Sequence, residues 1–155
     1  MTAYKDHVPP QPSEGKNKTL VVCDFDGTVC TVDIGNRVLN RFTDNRWDDI
    51  NRGYCTDEIG SKEAYTRGAP IFKGAREQVL AYVLETERVD PYFAGFYRFC
   101  RARGIDLKIA SDGFDFYIEA ILGKYDLSEI TFFSNKAVFR EDGTLFMTFP
   151  QANKD

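Results

Sequence analysis

The chain has 155 residues, of which 43% are apolar and 14% aromatic, enough for one packed domain. Twenty Lys and Arg against 24 Asp and Glu give a net charge of −4, and the basic residues are scattered, which excludes the footprint of a nucleic-acid binder. No run of about 18 apolar residues is present, so the sequence encodes no membrane-spanning helix and offers no membrane partner.

In chain order, residues 1–18 come first and read as a disordered leader without the apolar centre of a secretion signal. They contain Pro9, Pro10, Pro12 and the only histidine, His7, so Ser-His-Asp or Cys-His chemistry lacks a base. Leu20, Val21, Val22 and Cys23 form a continuous apolar run, predicted as a strand buried on both faces of a parallel sheet. Asp26 and Gly27 end it in a turn. A helical pattern follows from Asp33 to Gly104, marked first by Ile34, Val38, Leu39 and Phe42, then Trp47 and Ile50, then Val79, Leu80 and Val83. Its last helix opens at Pro91 and turns Phe93, Phe96, Tyr97 and Cys100 toward the core.

Leu107 to Ala110 make a second strand, and Phe114, Tyr117, Ile118, Ile121, Leu122 and Tyr125 the buried stripe of the next helix. Ile130 to Phe133 read as a third strand, followed by a hairpin of Ala137 to Phe139 and Leu145 to Phe149 around Asp142 and Gly143. The fold class is α/β with a Rossmann-like parallel sheet and a helical insertion of about 70 residues, too long for an ordinary connection. We expect residues 33–103 to cap the carboxyl ends of the strands, and 19–32 with 104–155 to make an incomplete core. Cys23, Cys30, Cys55 and Cys100 lack CxxC spacing, and read as reduced thiols of a cytoplasmic protein.

Two segments carry chemistry. Asp24 and Asp26 stand two residues apart at a strand end, where like charges raise one another's pKa unless a cation or donor lies among them. Mg²⁺ suits such a place, since it takes one or two carboxylates plus waters and phosphate oxygens. Simple turn capping is the alternative; an EF-hand is excluded, because Val29 and Gly35 stand where its Gly and Glu belong. Ser111, Asp112 and Gly113 end the second strand at the mouth of a helix, a natural phosphate cradle, unless Ser111 or Asp112 is an ordinary N-cap. Carboxylates at one strand end and an anion cradle at the next suit phosphoryl transfer through an aspartyl phosphate.

Asp24, Phe25, Asp26, Gly27 and Thr28 resemble motif I (DxDGT) of the haloacid dehalogenase superfamily, and Ile109, Ala110, Ser111, Asp112 and Gly113 its motif II. The insertion resembles that superfamily's C1-type cap. The run from Ser111 to Ile118, with Phe133, Ser134, Asn135 and a hairpin ending at Phe149 and Pro150, is similar to the phosphoserine phosphatase-like branch. The resemblance covers residues 19–150 and implies a Mg²⁺-dependent phosphatase acting on a small phosphorylated metabolite. It makes Asp24 the nucleophile and a metal ligand, and Asp26 the general acid/base whose carbonyl also meets the metal. Thr28 would orient Asp26; Ser111 and the Gly113 amide, beside Asp112, would hold the phosphoryl oxygens; Asp33 would touch the substrate.

Tyr65, Arg67 and Arg76 are further specificity candidates, against the alternative of a solvated helical face. The superfamily pattern adds a lysine and an acidic pair after a further strand. Past Gly113, Lys124, Lys136 and Lys154 precede no acidic segment, and Asp126, Asp142 and Asp155 are isolated. The sequence is therefore expected to be truncated, which would leave Thr19 to Cys23 at an exposed apolar edge and encourage a homo-oligomer. The competing expectation is an incomplete module that binds phosphate ligands or a partner without turnover.

Overall fold

A computed structural model describes residues 19–152; the predicted leader, 1–18, lies outside the described residues. Four strands among them, β1 (Leu20–Cys23), β2 (Asp106–Phe114), β3 (Thr131–Phe139) and β4 (Leu145–Thr148), form one sheet in the order β1-β2-β3-β4. The pairs β1–β2 and β2–β3 are parallel and β3–β4 is antiparallel. The helices are α1 (Ile34–Phe42), α2 (Trp47–Cys55), α3 (Ser61–Gly68), α4 (Arg76–Thr86), α5 (Phe93–Ala102) and α6 (Asp115–Lys124). No helix among the described residues is long and apolar enough to cross a membrane.

Because the parallel strands follow one another in chain order, right-handed crossovers put both connecting helices, α5 and α6, on one face of the sheet. On that face Leu107 and Ile109 are buried and Val21 and Cys23 half-buried. The alternate residues are open to solvent: Leu20 is 52% exposed, Val22 58% and Phe133 42%. The prediction that β1 is buried on both faces is corrected here. An apolar run can be buried twice only where both faces have cover, and among the described residues the cover lies on one side. The edge position expected for this strand is what the sheet order shows.

Two predicted boundaries also move. β2 runs on through Ser111 to Phe114, with its pairing to β3 shifted between Ala110 and Phe114. The third strand and the first hairpin arm are one strand, β3, which pairs with β2 along its first half and with β4 along its second. Gly143 takes a left-handed φ of 82° in the predicted hairpin turn, where the Arg140 N–H donates to the Thr144 carbonyl at 2.9 Å.

The α6 stripe is buried as predicted, with Tyr125 half-buried. The α5 stripe is buried only at Phe93 and Cys100; Phe96, 42% exposed, points away from the core. Within the long insertion, α5 packs on β2 and α4 on α6, while α2 packs on α3. Glu87, just past α4, is buried; Arg37 of α1 reaches both its carboxylate oxygens at 3.2 Å and the Thr86 hydroxyl donates at 3.0 Å. A buried charge of this kind is tolerable only when paired.

Candidate active site

The chain leaves β1 at Cys23 and reverses through a tight loop anchored by the buried side chains of Phe25 and Val29. Gly27 makes the reversal possible: its φ of 74° is one that a Cβ disfavours, and its N–H donates to the Val32 carbonyl at 3.0 Å. The loop separates its two carboxylates. Asp24 stays exposed, accepting from the Phe25 N–H at 2.7 Å. Asp26 turns inward, where Oδ1 accepts from the Ile34 N–H and Oδ2 from the Tyr117 hydroxyl, both at 2.7 Å.

Burial pushes the Asp26 carboxyl up to about 6, and the charge of Asp33 pushes the same way, while the donors from Tyr117, Ile34 and Gly35 pull down. The expected cause, mutual repulsion between Asp24 and Asp26, is therefore replaced by enclosure. Repulsion appears instead at Asp112, whose carboxyl is raised by burial, then by the charges of Asp24 and Asp33, and eased by a hydrogen bond with Ser61. Asp24, Asp33 and Asp112 thus converge electrostatically. Asp33 also caps α1, accepting from the Asn36 N–H at 2.7 Å.

Ser111, Asp112 and Gly113 lie in the extended end of β2, not in the first turn of a helix. Helix α6 begins at Asp115 with Phe114 at its N-cap, which sets aside the N-cap reading of Ser111 and Asp112 and takes both off the helix mouth. The Ser111 hydroxyl and the Gly113 amide are adjacent, the amide donating to Oγ at 2.9 Å, so both polar groups of the predicted cradle are brought together. Asp115 braces the strand end by accepting from the Phe116 and Ala137 N–H groups at 3.0 and 3.2 Å.

Beyond the cradle role expected of its amide, Gly113 has a second necessity in the structure. A Cβ there would stand 1.9 Å from the Tyr117 hydroxyl oxygen and 2.6 Å from Asp26 Oδ2. The two motifs touch at this point. Tyr117 is the residue that the sequence reading missed, taking it only as part of the α6 stripe. The available signal was a phenol on an otherwise apolar stripe, since a buried hydroxyl needs a partner. Thr28 is exposed, and the side chain of Asp26 is held by Ile34 and Tyr117 instead.

Of the specificity candidates, Tyr65 reaches the site. It stacks on Trp47 at 5.9 Å, meets Phe114 edge-on at 4.9 Å, and lines a small cavity of about 20 Å³ with Asp33, Asn36, Tyr54 and Ser61. Its phenol is held far above the ordinary range by burial and by the charges of Asp112, Asp33 and Asp26. Arg67 instead pairs with Glu63 at 2.5 Å on the α3 surface, and Arg76 is exposed at the start of α4.

The donor set fits Mg²⁺ in a minimal form. The Asp24 carboxylate is exposed and free to take a cation, and its charge reaches the carboxyl of Asp112, which burial chiefly raises. The Asp26 carboxyl already has a partner on each oxygen, which leaves its backbone carbonyl as the group to meet a cation. Among the described residues no group of three or more His, Cys, Asp or Glu gathers into a ligand cluster.

No family model matches the chain. A 2-hydroxy-3-keto-5-methylthiopentenyl-1-phosphate phosphatase of Brevibacillus brevis is 27% identical over 136 residues, covering 87% of this chain and 61% of that protein. The fold is similar to a haloacid dehalogenase family hydrolase from Salmonella enterica serovar Typhi, with a TM-score of 0.71, 18% identity, and coverage of 90% of this chain and 48% of that one. A phosphoserine phosphatase captured as a phospho-aspartyl intermediate analogue gives a TM-score of 0.66 at 20% identity, covering 84% of this chain and 61% of that one. The chain thus spans about three fifths of the length of this curated relative.

Proposed function

We propose that this chain, similar in sequence to a curated phosphatase and in fold to haloacid dehalogenase-type hydrolases, belongs to that superfamily on the phosphoserine phosphatase-like side and is the phosphomonoesterase part of a hydrolase for a small phosphorylated metabolite. The observation that supports this most is the unequal treatment of the two motif I carboxylates. Asp24 is exposed, as a nucleophile must be, and Asp26 is enclosed with its carboxyl raised to about 6, as suits a group that gives and takes a proton near neutrality.

In this reading an Asp24 oxygen attacks phosphorus and the bond from phosphorus to the substrate's ester oxygen breaks, while protonated Asp26 delivers its proton to the departing alkoxide. Asp26, now ionised, takes a proton from water as the water oxygen attacks the aspartyl phosphate, releasing phosphate and restoring Asp24. The Ser111 hydroxyl holds a phosphoryl oxygen, joined by the Gly113 amide once that N–H turns from Ser111 Oγ to the substrate, and Asp33, Asp112 and Tyr65 bound the space for the rest of the substrate. Mg²⁺, held by the Asp24 carboxylate and the Asp26 carbonyl, would supply neutralisation of charge on the phosphoryl group.

Hydrolysis of p-nitrophenyl phosphate by the 155-residue chain in Mg²⁺, compared with Asp24→Asn, tests the proposal. We expect wild-type turnover and its loss by at least about a thousandfold in the variant, in line with removal of a covalent nucleophile. The limited donor cluster around Asp24 favours one second reading, a module that binds phosphate without turnover. Inorganic phosphate binding by a wild-type chain that hydrolyses no ester is the outcome that would select it. All four cysteines are free, which suits the cytoplasmic setting we propose, and the open β1 edge makes self-association part of the same proposal.

A further inference from the structure

We infer that Tyr117 is a positioning residue for Asp26, an inference that rests on the acid/base role proposed above. The Tyr117 ring is fully buried at the start of α6, packed edge-on against Phe114 and Phe116 at 5.9 and 5.5 Å and tilted against Phe25 at 6.1 Å. Close packing on these rings holds the side chain in place and delivers its hydroxyl to one point. That point is Asp26 Oδ2, at 2.7 Å, while the Ile34 N–H takes Oδ1 at the same distance. Two donors on the two oxygens fix the plane of the carboxyl group, which a single donor would leave free to rotate.

Two glycines frame the same oxygen. A Cβ at Gly113 would lie 1.9 Å from the Tyr117 hydroxyl and a Cβ at Gly35 3.3 Å from it. The end of β2, the first turn of α1 and the loop after β1 therefore close around one phenol oxygen. Since proton transfer demands that the carboxyl face the leaving oxygen within hydrogen-bond reach, an angular error at Asp26 acts on the chemical step rather than on substrate binding.

The test is Tyr117→Phe, alone and on an Asp26→Asn background, assayed with p-nitrophenyl phosphate in Mg²⁺. We expect kcat to fall about tenfold with KM unchanged within about twofold, and no further fall when the substitution is added to Asp26→Asn. An unchanged kcat, a rise confined to KM, or an equal fall on the Asp26→Asn background would overturn the inference. The contact has its own readout, independent of turnover. Proton NMR should show a slowly exchanging, downfield phenolic proton in the wild type, absent from Tyr117→Phe and moved in Asp26→Asn. Its absence from the wild type removes the contact. A chain that shows this proton and hydrolyses no ester overturns the phosphatase reading, and the catalytic use of Tyr117 falls with it.

Discussion

The two faces of the sheet obey different rules. On the helix-covered side Leu107 and Ile109 are buried, and at that sheet's end Asp26, Tyr117, Gly113 and Ile34 each depend on another's atoms. On the other side Leu20, Val22 and Phe133 meet solvent. The difference shows where residue identity is forced. Around Asp26 one added methyl group collides with two side chains, whereas along the open face any residue that sustains an extended strand would serve.

Substitutions on the two sides should separate accordingly. The largest effect is expected from Gly113→Ala, whose Cβ overlaps the Tyr117 hydroxyl; overpacking there should cost about 3 kcal/mol in a chemical melt. A change below about 0.5 kcal/mol would show that the Asp26 cluster is as yielding as the open face. Next, Arg37→Ala strips Glu87 of its ion pair while Glu87 stays buried. Since Arg37 is itself half-exposed and partly screened, we expect about 2 kcal/mol, recovered in part by adding Glu87→Gln.

Asp26→Asn should act in the opposite direction. The folded carboxyl near 6 lies above an unfolded value of about 4, so the fold favours the protonated form. That contribution is complete below about pH 4 and is lost as pH rises through 6. In chelator at pH 8, Asn should therefore stabilise the chain by about 1 kcal/mol, less than the full shift implies because its amide must find new partners. At pH 4 the gain should vanish; an equal gain at both pH values would mean that burial does not raise Asp26. The smallest effect belongs to the open face, where Val22→Thr should move stability by less than about 0.5 kcal/mol.

Much of this was legible in the sequence. DxDGT after a short apolar run and SDG after another put Asp24, Asp26, Ser111 and Gly113 at neighbouring strand ends, where the fold has them. The α6 stripe was legible because its apolar residues recur at helical spacing, and Tyr117, Ile118, Ile121 and Leu122 are all buried. What stayed hidden depends on partners distant in the chain. The exposure of Leu20 and Val22 follows from which side the crossovers take, and the solvation of Phe96 from how α5 lies on β2, neither of which is a property of the segment itself. Tyr117 was placed correctly as core and incompletely as chemistry, since its partner Asp26 lies 91 positions away.

The pairing of β1 with β2 also has a consequence in time. Leu20 to Cys23 leave the ribosome well before Asp106 to Ile109, the residues they bond to, which lie about 86 positions later. At ordinary elongation rates that interval is on the order of ten seconds. Throughout it the apolar segment lacks the strand it pairs with in the fold, and the loop bearing Asp24 and Asp26 lacks the strand end against which it is held. This is a window in which the unpaired backbone of that strand is open to pairing with another chain.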